Sequence, residues 1–177
     1  MIYDNLIDLD SNGKPVYGDS PFKANKSLTI NATNTTVNPP IFTITGSVMI
    51  TRLWGEVTTD LGSNHTAAAW RINDQTAQVY LTAVGGTTLS SIKAGSIIVK
   101  DKLVAVALTK IDNAAGAVNE SATAGVNIFS PVIVTKKTGA LTQIEYKYTT
   151  NQSPTTGAIM FHVSYLPLSD DGLIEAV

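Results

Sequence analysis

Residues 42–58, FTITGSVMITRLWGEVT, constrain the fold more than any other stretch of the chain. In the first half, apolar residues alternate with threonine and serine, which predicts a strand with one buried face. The apolar positions of that half are Phe42, Ile44, Val48 and Ile50. After Thr51 the alternation changes phase, so that Leu53 and Val57 become the apolar positions. Because a shift of one residue exchanges the two faces of a strand, the pattern predicts a bulge, or a bend from one sheet into another.

The composition supports a β-rich chain. Only 15% of the 177 residues are charged, while threonine, alanine, valine and other residues suited to half-buried pleated surfaces are frequent. A chain of this length forms one domain, or one domain with an arm, and is long enough to bury its own core. It has no cysteine, which excludes disulfides and thiolate metal sites.

Charge and hydropathy limit the partners that we expect. The formal net charge is -2 and the pI is about 5.6, so nothing favours binding to nucleic acid, which requires clustered lysine and arginine. The start of the chain lacks the pattern of a signal peptide, and no apolar run is long enough to span a membrane. The sequence therefore predicts a soluble protein made in a cytoplasm, with no membrane partner.

Three regions are predicted. Residues 1–40 hold four of the seven prolines and no sustained apolar period, which predicts an extended N-terminal arm that lies on a neighbouring subunit. The alternative is a terminus that is only partly ordered. Residues 41–166 are predicted to form the β-sandwich domain, and residues 167–177 an exposed C-terminal tail. The residues of the arm predicted to form an interface are Tyr3, Leu6, Ile7, Tyr17 and Phe22.

Two hairpins are predicted from alternating segments. The first joins residues 67–72 to residues 77–81 through Asn73 and Asp74, and the second joins residues 141–150 to residues 158–166. In the second pair, one face carries Ile144, Tyr146 and Tyr148 on the first strand and Ile159, Phe161, Val163 and Tyr165 on the other.

The remaining segments complete a count of about eight strands with no helix of ordinary length. Residues 89–94 suit a helical turn or a loop, and residues 103–108 suit a strand covered on both faces or an ordinary core strand. Residues 112–125 indicate a surface loop. Residues 126–136 suit a strand interrupted by Pro131, which favours an edge or a bulge. The predicted fold is all-β, a two-sheet antiparallel sandwich. A jelly roll is the expected topology, and an immunoglobulin-like sandwich is its nearest rival.

One segment near the start matches part of a calcium-binding loop. In DLDSNG the acidic and amide residues have the spacing of the first loop positions, and an aspartate falls where the closing glutamate is expected. These candidate ligands are Asp8, Asp10, Asn12 and Asp19. Aspartate reaches less far than glutamate, and Pro15 breaks the segment. Since asparagine followed by glycine is also a turn signal, a plain hairpin or turn is the favoured alternative.

Other chemical signals are weak. His65 and His162 are the only histidines, and without a third ligand a structural role is expected for both. No nucleophile elbow, phosphate-binding glycine loop or zinc-protease motif is present, so we expect neither an enzyme nor a cofactor. Trp54 and Trp70 are expected to anchor the core or an interface, or to stack on sugar rings if they are exposed.

Three segments carry a resemblance to known proteins. They are ITGSVMITRLWGEVTT at residues 44–59, SIKAGSIIV at residues 91–99 and YTTNQSPTTGAIMFHVSYLPLSDDG at residues 148–172. Together they resemble the small virion proteins of tailed bacteriophages, particularly capsid decoration or cement proteins.

The resemblance implies a jelly-roll or related β-domain, commonly a homotrimer, that binds between capsomers and stabilises the phage head. It implies the major capsid protein as partner and the capsid exterior as location. It supplies no catalytic residue. Two rivals remain: a tail-fibre or baseplate receptor-binding tip, and a carbohydrate-binding or lyase-like domain. Sugar binding by residues 112–125 or 151–157 would favour either rival.

Overall fold

The computed structural model describes residues 8–9, 15–16, 22–100, 107, 109–111, 131–135, 138–150 and 156–177. These residues form fourteen strands and no helix. Within them, no helix has the length and apolar character needed to cross a membrane. The strands are β1 Asp8–Leu9, β2 Pro15–Val16, β3 Phe22–Thr29, β4 Thr36–Val37, β5 Pro40–Thr45, β6 Val48–Thr59, β7 His65–Asn73, β8 Gln78–Tyr80, β9 Ile97–Val99, β10 Thr109–Ile111, β11 Val132–Val134, β12 Thr142–Thr150, β13 Ala158–Pro167 and β14 Leu173–Ala176.

The strands form two larger sheets and one small pair. The first sheet has the order β10-β9-β6-β13-β3, with β11 also pairing with β6, and is called the β6 sheet here. The second has the order β14-β5-β12-β7-β8, with β4 also pairing with β12, and is called the β12 sheet. All pairings between described strands are antiparallel, including the separate pair β1–β2. The predicted all-β sandwich is confirmed, whereas the jelly-roll topology stays a prediction.

The core lies between the inner faces of the two sheets. The faces predicted for β12 and β13 are confirmed, since their alternate aromatic and aliphatic side chains are buried. The ring of Phe161 on β13 lies 4.8 Å from Tyr146 on β12 and 6.3 Å from Trp70 on β7, measured between ring centroids. These aromatic contacts join the sheets at the centre of the core, where close packing contributes most to stability.

The phase change in β6 is a bulge, as the sequence predicts. Tyr165 pairs with Ile50 and Ser164 pairs with Arg52, so the register skips Thr51, whose hydroxyl donates to the Ser164 carbonyl at 3.1 Å. Residues Val48 and Ile50 before the bulge and Leu53 and Val57 after it are all buried in one core. The single extra residue therefore keeps the apolar side chains of both halves on the same face.

Residues 42–58 are nevertheless two strands and not one. The chain leaves the β12 sheet at the end of β5, turns at Gly46 and Ser47, and enters the β6 sheet. Gly46 has a φ of +67°, and a Cβ there would lie 2.5 Å from the carbonyl oxygen of Asp171. Both the left-handed conformation and the close approach require glycine at this corner.

One of the two predicted hairpins is confirmed and the other is wrong. β7 and β8 pair as predicted, although β8 is short and its Val79 is exposed. β12 and β13 lie in different sheets, with β12 paired to β4, β5 and β7 and β13 to β3 and β6. Alternation shows that each strand has one apolar face. It does not distinguish two neighbours in one sheet from two strands that face each other across a core.

Strands of the two sheets also occur before residue 40 and after residue 167, in the segments predicted as arm and tail. All eight residues of β3 pair with β13, and Ile30 just after β3 is buried, so residues 22–40 belong to the sandwich. β14 pairs with β5 and buries Ile174, so the expected tail contains an edge strand. An edge strand needs few apolar residues, which is why neither segment showed a sustained period. Most of residues 1–21 lie outside the described residues.

The remaining predictions concern the segments between the long strands. Residues 89–94 form a loop with turns, and β11 follows Pro131 and pairs with β6 alone among the described strands. Residues 103–108, apart from residue 107, and residues 112–125 lie outside the described residues.

We expect Ile50→Asp to prevent folding, because Ile50 is 1% exposed in the core and an unpaired carboxylate there has no compensating partner. Arg52→Asp is the matched control, because it introduces an aspartate at an exposed position of the same strand. Circular dichroism melts measure both. A melting curve for Ile50→Asp equal to that of Arg52→Asp would contradict the assignment of the inner face.

Candidate interaction surface

An aromatic pair lies on the outer face of the β6 sheet. Trp54 on β6 is directly opposite His162 on β13, and their rings stack with centroids 3.8 Å apart and planes 12° apart. Both side chains point away from the core, because their neighbours Leu53 and Val163 are buried inside it. Each remains partly exposed.

Apolar and polar side chains both lie around this pair. The half-buried residues on the same face include Ile97, Val99, Met160 and Glu56. Val99 lies opposite Trp54, and Ile97 and Met160 lie on either side of Glu56. Two exposed polar residues also adjoin the pair, since Arg52 lies two residues before Trp54 and Asn25 lies opposite His162. We call these residues, together with Trp54 and His162, the Trp54 surface. A mixed surface with tryptophan, methionine and arginine side chains is typical of a protein interface.

The electrostatic environment of His162 favours a neutral ring. Burial lowers its pKa below the ordinary value of 6.5, and the nearby charge of Glu56 raises it in part. Its Nε2 is shielded from solvent and has no hydrogen-bond partner among the described residues. Within the part of the chain that the structure describes, no three histidine, aspartate or glutamate residues are grouped to hold a metal ion.

His65 occupies a different site, inside the core. It begins β7 and is fully buried, with Nε2 2.8 Å from the hydroxyl of Tyr146 and its ring stacked on Tyr148 at 4.8 Å. Burial lowers the pKa of His65 to about 4 and raises the pKa of Tyr146 well above its ordinary value. The two histidines thus lie on different sheets, one inside and one outside, and the structural role expected for His65 fits these contacts.

The outer face of the β12 sheet holds a charged network that the sequence did not reveal. Arg71 on β7 donates from Nε to the Glu145 carboxylate on β12 at 2.5 Å, and both side chains are less than a tenth exposed. Arg71 also donates to Gln78 at 2.7 Å, and Asn73 donates to Glu145 at 2.8 Å. The cross-strand register places Arg71 opposite Glu145, and Gln78 and Asn73 add hydrogen bonds that satisfy this buried ion pair.

Lys100 is a second buried cation that the sequence did not reveal. It follows β9 and is 1% exposed. It lies two residues after Ile98, which is buried in the core, so the β alternation continues inward to Lys100. A lysine is usually exposed because of its charge. In the sequence, only its position in the alternation of β9 indicates that Lys100 is buried.

Of the four predicted calcium ligands, only Asp8 belongs to the described residues. Asp8 lies in β1, whose backbone pairs with β2, whereas Asp10, Asn12 and Asp19 lie outside the described residues. The β1–β2 pairing is what the hairpin alternative expects, and the calcium site itself stays a prediction.

The predicted interface residues of the arm are mostly not described. Tyr3, Leu6, Ile7 and Tyr17 lie outside the described residues. Phe22 begins β3 and is 58% exposed, with its ring centroid 5.8 Å from that of Tyr165. An exposed phenylalanine at the start of an edge strand is available for contact. The interface role of all five residues stays a prediction.

The chain was compared with family models, curated proteins and solved structures. No family model, no curated protein and no solved structure matches it.

We expect the stability of the protein to fall as the pH drops from 6.5 towards 4. The folded state holds His65 neutral, with a pKa of about 4, while the unfolded chain takes up a proton near 6.5. The contribution of His65 to the free energy of unfolding is therefore fully present above pH 6.5. About 2–3 kcal/mol of it is lost by pH 4.5.

Urea unfolding at pH 7 and pH 4.5 measures this loss in the wild type, in His65→Gln and in His162→Gln. His65→Gln should lose much less stability on acidification than the wild type, whereas His162→Gln, which alters the partly exposed ring, should retain most of the loss. An unchanged loss in His65→Gln would contradict the assignment.

We expect Arg71→Met or Glu145→Leu alone to cost about 3–5 kcal/mol, because each leaves a buried charge without its partner. The double variant Arg71→Met, Glu145→Leu removes both charges and should recover most of that stability. Equilibrium urea unfolding of the three variants provides the values. Losses in the single variants that add up in the double variant would show that the pair is not coupled.

Proposed function

We propose that this chain is a structural virion protein of a tailed bacteriophage, a capsid decoration or cement protein. In this proposal it assembles as a homotrimer on the capsid exterior and binds the major capsid protein between capsomers, so that neighbouring capsomers are held together. The sequence resemblance described above suggests the class of protein, and the Trp54 surface supports a function by contact.

The Trp54 surface is the observation that carries the proposal. Tryptophan at the centre of a contact, surrounded by apolar side chains that exclude water, is the arrangement most often found where a few residues supply most of the binding energy. Here the tryptophan ring is held by the stacked His162 and by strands on both sides. A side chain that is already fixed loses little conformational freedom when a partner covers it.

Trimerisation would strengthen such a contact. Three copies of the Trp54 surface on one rigid particle bind a repeated lattice with an avidity well above that of each single contact, provided that the geometry allows simultaneous engagement. A capsid offers such a lattice. The large exposed side chains elsewhere in the described residues, such as Ile133, Val84 and Phe22, provide further contact area.

We expect Trp54→Ala to weaken binding to heads built from the cognate major capsid protein by about thirtyfold, as for a central interface residue worth about 2 kcal/mol. The fold should persist, because Trp54 lies on the outer face. Co-sedimentation with heads gives the affinity, and analytical ultracentrifugation gives the oligomeric state.

Trp70→Ala is the matched comparison. Trp70 is fully buried, so the same truncation should cost about 3–5 kcal/mol and lead to unfolding. Head binding by folded Trp54→Ala at wild-type affinity would contradict the role of the Trp54 surface.

The arm provides a separate prediction. A deletion that ended at residue 40 would remove β3, which pairs with β13 along its whole length, so the informative deletion removes residues 1–20. We expect this shortened chain to fold and trimerise but to bind heads at least tenfold more weakly, since it lacks four of the five predicted interface residues. Saturation of heads at the wild-type concentration would show that the arm has no part in binding.

A further inference from the structure

A groove lies where the chain passes from the β6 sheet to the β12 sheet, between the end of β3 and the start of β5. Its volume is about 620 Å³, within the range of small-molecule sites in proteins. Tyr148 on β12 lines the groove. Val37 on β4, a second lining residue, pairs directly with Tyr148, so the pairing of β4 with β12 fixes this part of the lining.

The lining of the groove is neutral. None of the described residues that line it is charged, and leucine, alanine, valine and proline side chains lie among amide and hydroxyl groups. The apolar members are Leu28, Ala32, Val37 and Pro39, and the polar members apart from Tyr148 are Thr29, Asn31, Thr35, Thr36 and Asn38. Such a lining suits a ligand that is uncharged, rich in hydroxyl groups and apolar on one face.

Some of these polar groups already have hydrogen-bond partners, and at least one does not. Thr36 shares a hydrogen bond with Thr149 at 2.7 Å, and the Thr150 hydroxyl accepts from the Thr35 backbone at 3.3 Å. In contrast, Oδ1 of Asn38 is shielded from solvent and has no hydrogen-bond partner among the described residues. A buried carbonyl oxygen without a donor is costly. Because this oxygen has no exposed surface, a ligand hydroxyl reaches it only when the Asn38 side chain turns towards the groove, and the hydroxyl then supplies the missing hydrogen bond.

The backbone of the groove is held in place before any ligand arrives. The Tyr146 N–H donates to the Pro39 carbonyl at 3.0 Å, and the Thr150 N–H donates to the Thr35 carbonyl at 2.9 Å. Ile30, between two lining residues, is buried and donates to the Gly157 carbonyl at 2.9 Å. A site that is already ordered loses less conformational entropy on binding.

We propose that this groove binds a neutral saccharide, with the C–H face of a pyranose ring against the apolar members and its hydroxyls at Asn31 and Asn38. Pyranose rings combine an apolar face with a ring of hydroxyl donors and acceptors, which matches the lining. The site is separate from the Trp54 surface, so it does not depend on the proposed capsid role.

Saturation-transfer NMR on the full chain tests the site with methyl glycosides of glucose, galactose, mannose and N-acetylglucosamine. Glucuronic acid and N-acetylneuraminic acid are the charged comparisons. At least one neutral glycoside should bind, and the two acids should bind at least tenfold more weakly, because the described lining residues include no cation to pair with a carboxylate.

Two variants locate the site. Asn38→Leu removes the unpaired amide, and Asn31→Ala removes an exposed amide whose loss should leave the fold intact. Each should weaken binding of the neutral glycoside by about tenfold. Asn25→Ala is the control, because Asn25 is an exposed asparagine on the outer face of the β6 sheet. Failure of every neutral glycoside to bind, equal binding of the acids, or equal affinity of Asn31→Ala and Asn25→Ala would overturn the proposal.

Discussion

The bulge at Thr51 is the constraint on which the rest of the structure depends. β6 runs through the middle of its sheet, pairing with β13 along one side and with β11 and then β9 along the other. Without the extra residue, the alternation that buries Val48 and Ile50 would continue to Arg52, Trp54 and Glu56 and turn them into the core. Burying two charges and leaving apolar residues outside would be incompatible with a stable sandwich. The bulge therefore decides which side chains hold the sheets together and which remain outside.

The same bulge joins the core to the outer surface. After Thr51, the inward positions of β6 include Gly55, where a Cβ would come within 2.9 Å of Ile159 on β13, so the absence of a side chain allows close packing. The residue before it is Trp54, which is directed outward and stacks on His162. The packing of the interior thus fixes the position of the aromatic pair. A surface held in this way is suited to rigid, repeated contact, which is what a protein that stabilises a capsid by binding between capsomers requires.

Periodicity in the sequence predicted the sheet faces but not the pairing of the strands. The alternation along β6, β12 and β13 was sufficient to identify the buried side chains and the phase change, because each of these strands has several apolar residues in phase. Whether β12 and β13 are neighbours in one sheet or face each other depends on contacts far apart in the chain, which local pattern does not contain. β3 and β14 fall in the predicted arm and tail because neither segment has a sustained apolar period.

The candidate sites were predictable to a smaller extent. Trp54 was identified as a possible anchor, but only the register shows that it faces outward and meets His162. The Arg71–Glu145 pair depends on two strands that are 74 residues apart. The groove beside Tyr148 is built from a connector that reads in the sequence as a polar linker, and its shape arises only when that connector crosses between the sheets.

The central claim is that this chain functions by repeated surface contact on a phage head, and its abundance in the particle tests this most directly. Quantitative mass spectrometry of purified virions gives the number of copies of the chain relative to the major capsid protein. The account predicts a fixed ratio, with three copies at each binding position between capsomers over the whole head. A few copies per particle, as at a tail tip, or absence from the particle would contradict it.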